Sequence, residues 1–147
     1  DLGEDNDLHP QNKKDLGKRL ALLAAARLGI PVESKGPEVT EITVASDEAN
    51  NLRTIRLTCS HAEGLHASSE DKGEEILDFE VVNDNGEVLQ PKTQIKGQEI
   101  VLTIPDKETE VKLIRYCYRT SNIGALVYNQ AGLPMSPFVR RVYEETV

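Results

Sequence analysis

The sequence predicts a mainly β chain, with one N-terminal helix followed by a small antiparallel β-sandwich or jelly-roll-like domain. Three observations carry that prediction. Apolar residues recur at helical spacing only between Pro10 and Leu28. Beyond Glu33 the period drops to two and stays there. The alternating runs are short and are cut at regular intervals by Gly, Pro and Asn, the pattern of sandwiches and barrels.

The helix comes first. Leu16, Leu20, Leu23, Ala24 and Leu28 fall on one face of a 3.6-residue period, while Lys13, Lys14, Asp15, Lys18 and Arg19 occupy the other. Pro10 suits the first helical position, where its missing N–H would be unpaired anyway. Gly29 supplies a left-handed cap and Pro31 prevents continuation. The Leu/Ala stripe predicts a packing partner, either the β domain that follows or the layer of a larger α/β domain.

Glu33-Ser34-Lys35-Gly36-Pro37 reads as a linker. Val39 to Val44 is a first strand, Leu52 to Cys59 a second with clean alternation, and Ile76 to Val82 a third with Phe79 and Val81 on one face. Asn83-Asp84-Asn85-Gly86 is a turn cluster, and Asn-Gly is the strongest short hairpin signal. Gln94-Ile95, Glu99 to Ile104 and Val111 to Tyr118 follow, divided by Gly97 and by Pro105-Asp106-Lys107. Leu126 to Tyr128 is a further short strand. Asn129 to Val142, rich in Gly and Pro, reads as an ordered loop.

At 147 residues the chain can bury a real core without staples. A formal net charge of -8 and a pI near 4.9 leave no basic face to release counterions from nucleic acid or to dock on an anionic membrane. Neither nucleic acid nor membrane is therefore an expected partner. No apolar run approaches a membrane span. There is no starting Met and no signal-peptide pattern, so the N-terminus reads as a processed boundary. Cys59 and Cys117 lie far apart in strand-like runs, lack metal spacing, and read as buried free thiols.

The residues with most chemical promise open the chain. In Asp1-Leu2-Gly3-Glu4-Asp5-Asn6-Asp7-Leu8-His9-Pro10, a lone histidine sits among Asp1, Glu4, Asp5 and Asp7 and leads directly into the helix. A histidine held at a helix start beside an acid is one way to present a general base. The acid fixes the tautomer and stabilises the imidazolium. Asp1, Asp5 and Asp7 are all local candidates for it, and the plainer alternative is a capping or surface histidine. His61 and His66 flank Gly64-Leu65, with Glu63 and Glu70 nearby, but match no zinc spacing, and no metal is expected. No Gly-x-Ser-x-Gly, Gly-Asp-Ser, phosphate loop or Cys-x-x-Cys occurs, so a nucleophile would come from elsewhere. Tyr116 and Tyr118 share a strand face and read as core. With two Phe and no Trp, the flat platforms of sugar-binding modules are scarce.

Asp1-Leu2-Gly3, Leu8-His9-Pro10, Asn12-Lys13-Lys14 and Gly17-Lys18-Arg19-Leu20-Ala21-Leu22 resemble the end of the catalytic domain of the sialate O-acetylesterase family. Ile114-Arg115-Tyr116-Cys117-Tyr118 and the block from Leu126 to Phe138 resemble the C-terminal signature of the same family, so the resemblance runs from end to end. That family belongs to the SGNH (GDSL-like) hydrolases. The resemblance implies an upstream flavodoxin-like α/β domain carrying a serine nucleophile, a catalytic histidine matched by His9, a helix packed on the catalytic sheet, and then a small β domain. Residues 1–33 would be the tail of the catalytic domain and residues 34–147 a β-sandwich accessory domain. The implied activity is removal of O-acetyl groups from sialic acids or related acetylated sugars, without a cofactor. Serine attacks the acetyl carbonyl, histidine takes its proton, and water hydrolyses the acyl-enzyme.

The chain departs from the wider superfamily at Asn6, where an aspartate three residues before the histidine is usual. An amide carries no charge to stabilise an imidazolium. Either Asp5 or Asp7 substitutes, or the site is a Ser-His dyad. The serine and oxyanion-hole blocks are not among these residues. The expected partners are therefore an upstream catalytic-domain fragment carrying the serine and an O-acetylated sugar substrate, and the chain alone is expected to be inactive. An extracytoplasmic location (periplasmic, secreted or lumenal) follows from the resemblance alone. The competing expectation is a non-catalytic β-sandwich, a scaffold or glycan-binding module, with His9 incidental.

Overall fold

The computed structural model describes residues 1–3, 8–9, 11–68, 76–120 and 124–143. Among these, one helix, α1 (Lys13–Arg27), precedes ten strands: β1 (Glu38–Asp47), β2 (Leu52–Ser60), β3 (His66–Ala67), β4 (Phe79–Asn83), β5 (Val88–Leu89), β6 (Lys92–Lys96), β7 (Glu99–Pro105), β8 (Val111–Tyr116), β9 (Val127–Tyr128) and β10 (Phe138–Arg141). One sheet has the order β1-β2-β7-β6, the other β10-β8-β4-β5, and β3 pairs with β9. Every pairing is antiparallel.

The period-two pattern builds the sandwich. Ile55 and Leu57 of β2 and Ile100, Leu102 and Ile104 of β7 are fully buried from one sheet. Phe79 and Val81 of β4 and Ile114 and Tyr116 of β8 meet them from the other, in one contiguous core. Phe79 and Tyr116 pack with ring centroids 4.5 Å apart. The Tyr116 hydroxyl accepts from the Val127 N–H at 2.9 Å, tying β9 to the core. Strand β4 is buried on both faces. Its Glu80 is tolerated because Arg115 Nε and Arg119 Nη2 cover the carboxylate at 2.5 and 2.6 Å.

Three sequence expectations need correction. The segment from Asn129 to Val142, expected as loop, contains β10, with Phe138 opposite Tyr116. Its Gly and Pro content hid an edge strand with Phe138 turned to the core and Val139, Arg140 and Arg141 exposed. Tyr116 and Tyr118 do not share a buried face. Cys117 adopts φ +49 and ends the strand, leaving Tyr118 61% exposed with Arg115 over its ring. The Asn85-Gly86 signal does mark a hairpin, but of a longer kind. Gly86 N–H bonds the Asn83 carbonyl at 3.1 Å, Gly86 sits at φ +82, and Val82 faces Val88 across the loop.

The third correction concerns the helix. Asn12 caps it, its Oδ1 accepting from Asp15 N–H at 3.1 Å; Pro10 lies outside the described residues. At the far end Gly29 N–H bonds Ala26 O and Ile30 N–H bonds Ala25 O, a Schellman closure around Gly29 at φ +80. Yet α1 buries no residue. Leu16, Leu20 and Leu23, expected to face inward, are 46%, 58% and 49% exposed, so the β domain is not the partner of this stripe. Among the described residues no helix is long and apolar enough to cross a membrane.

Candidate functional site

His9 lies exposed just ahead of α1. Asp5 and Asp7, two of its three candidate acids, lie outside the described residues, as do Glu4 and Asn6. Asp1 is described, and its carboxylate is engaged. Arg19 Nη1 and Nη2 donate to Asp1 Oδ1 and Oδ2 at 3.0 and 2.5 Å, a two-pronged pair. The hydroxyl of Tyr128 donates to Asp1 Oδ2 at 2.9 Å. Burial pushes the Tyr128 phenol up, and neighbouring Arg19 works against that shift. The phenol therefore stays protonated and able to donate.

Tyr128 is positioned by β9. Its backbone faces His66 in the β3–β9 ladder, and its ring stacks on His66 at 6.2 Å. His66 Nδ1 approaches the Gly64 carbonyl at 2.8 Å. His61 instead meets the Glu33 carboxylate at 3.1 Å. The Lys35 backbone N–H, and after it His61, hold the Glu33 carboxyl below its ordinary range. His61 in its loop and His66 at the start of β3 are thus engaged by different partners. Among the described residues no three His, Cys, Asp or Glu side chains converge on a point, and Glu70 lies outside them.

Asn129, which sequence reasoning missed, is 1% exposed. It donates to the Lys35 and His61 carbonyls and accepts from Ala131 and Leu133 N–H, so it knots the linker, the His61 loop and the turn after β9. Its signal was its place within Tyr128-Asn129-Gln130-Ala131-Gly132-Leu133-Pro134.

A groove of about 830 Å³ opens elsewhere, between edge strands β1 and β10, lined by Val39, Ile42, Phe138, Arg140 and Tyr143 among others. His9 is not among its lining residues.

A solved structure shares this architecture. A novel carbohydrate acetylesterase from Xanthomonas citri matches with a TM-score of 0.75 and 21% identity, over 97% of this chain and 31% of that one. The fold is that of one part of an acetylesterase. Helix and sandwich match together, since nearly the whole chain is covered, and the chain spans about a third of that enzyme's length. No family model matches the chain, and neither does any curated protein.

Proposed function

We propose that the chain is the C-terminal part of an SGNH-type carbohydrate O-acetylesterase acting on sialic acids or related acetylated sugars, and that it contributes the catalytic base, His9. The match of nearly the whole chain to 31% of an acetylesterase carries this reading. Two further features support it. The resemblance of the opening segment to the family places a histidine at position 9. The exposed leucine stripe of α1 suits a helix whose partner belongs to a longer protein.

In the mechanism, the upstream domain supplies the serine and the oxyanion donors. The His9 imidazole accepts the serine hydroxyl proton as oxygen attacks the acetyl carbonyl. It returns that proton to the leaving sugar oxygen, then takes one from the attacking water and gives it to the serine oxygen as acetate leaves. Asp5 or Asp7 orients the imidazole, or the pair acts as a dyad. No cofactor takes part, and the enzyme works outside the cytoplasm.

The experiment compares this chain with the full-length protein on an O-acetylated sialic acid and an acetylated polysaccharide. The full-length protein releases acetate from at least one, and the chain alone releases none. Serine-dependent turnover by the chain alone contradicts the proposal.

A further inference from the structure

We infer that Tyr128, on the β domain, is a positioning residue for the segment that carries His9, acting through Asp1 and Arg19; the inference rests on reading His9 as the base. Asp1 and Arg19 stand 18 residues apart, on either side of His9. Their two-pronged pair closes that segment at its base. The side chains are only 15% and 23% exposed, so solvent screens the pair less than it would a surface pair. Tyr128 then adds a third bond to the same carboxylate from 127 residues away.

Helix α1 buries no residue, and Asp1 carries a direct side-chain tie from the His9 segment to the sandwich. The anchor itself is firm. Val127 N–H bonds the hydroxyl of core residue Tyr116, and Tyr128 pairs with and stacks on His66. A continuous path therefore runs from the core through β9 to Asp1, Arg19 and α1. The β domain sets where the base stands. Catalysis is sensitive to such placement, since a shift of about 1 Å at a reacting group costs on the order of 100-fold.

The test uses the full-length protein and acetate release from the O-acetylated sugar it hydrolyses best. Tyr128→Phe keeps the ring and its stacking and removes only the hydroxyl. It is expected to lower kcat by about 10-fold with KM within about twofold, because the group acts on geometry and not on sugar binding. Arg19→Lys, which keeps charge but loses the fork, is expected to retain more activity than Arg19→Ala. Wild-type kcat in Tyr128→Phe overturns the inference, as does a loss that merely follows the unfolded fraction by circular dichroism. If Tyr128→Phe does not fold, Asp1→Asn carries the same test. His9→Ala separates the two claims. Inactive His9→Ala beside fully active Tyr128→Phe overturns the positioning role alone, and active His9→Ala overturns the base reading and this inference with it.

Discussion

The side-chain amide of Asn129 donates to the backbone carbonyl of Lys35 at 2.9 Å, joining residues 94 apart in the chain. The same amide reaches the His61 carbonyl at 3.0 Å, while its oxygen accepts from Ala131 and Leu133 N–H at 3.1 Å. Both donors and both lone pairs are used, inside the protein. Asn129→Asp replaces the donor by an anion facing two carbonyls, and Asn129→Ala leaves buried groups unpaired. Each is expected to cost about 3 kcal/mol, read from the urea unfolding midpoint. An unchanged midpoint contradicts the knot.

Gly36 lies in the linker that Asn129 grips. A Cβ there would stand 1.8 Å from the Pro134 carbonyl oxygen, a backbone atom that cannot rotate away. Gly36→Ala should therefore destabilise by about 2 kcal/mol or more. Gly17→Ala is the control, since nothing lies within 4 Å of its Cβ and the helix gains. Equal melting of the two variants counts against the close approach.

The leucine stripe of α1 predicts a contrast between contexts. In this chain by itself, Leu20→Glu changes a residue 58% exposed, and the sandwich should keep its stability within about 0.5 kcal/mol. In the full-length protein the same change should lower solubility or activity if the proposed upstream domain covers the stripe. A large loss in the isolated chain would show that the helix already packs on the β domain.

Alkaline pH should weaken the sandwich. Both cysteines are free thiols, Cys59 buried and Cys117, against expectation, only half-buried, and desolvation pushes both up to about 11 from 9.0. Burial shifts Tyr116 in the same direction. The unfolded chain then gives up these protons at lower pH than the folded one. Stability from the neutral buried groups is complete below about pH 9 and is lost as pH rises through about 11. The urea midpoint should fall between about pH 8 and about pH 10.5, and less so in Cys59→Ala/Cys117→Ala. Equal falls in the two proteins contradict the thiol contribution.

The long strands were legible because β1 and β2 alternate along the chain and β7 is an apolar run bounded by Gly97 and Pro105. Val39 to Val44 lies within β1, Leu52 to Cys59 within β2, and Glu99 to Ile104 within β7. The two-residue strands β3 and β5 carry no period to read, and β10 pairs along only one side, with Phe138 alone turned inward. In the helix, periodicity located the apolar face but not what covers it. At the candidate site, the position of His9 ahead of a helix was legible, as Pro10, Gly29 and Pro31 bracket that helix in the sequence. The Asp1–Arg19–Tyr128 tie was not, because the Tyr128 bond spans 127 residues and Asp1 looked, from spacing alone, like one more acid beside His9.

The most direct measurement is acetate release by the full-length protein carrying His9→Ala, with folding verified by its unfolding midpoint. A loss of kcat of about 10³-fold or more with substrate binding retained is expected. Turnover equal to wild type would mean that the base lies elsewhere and that these residues serve the enzyme only as a scaffold.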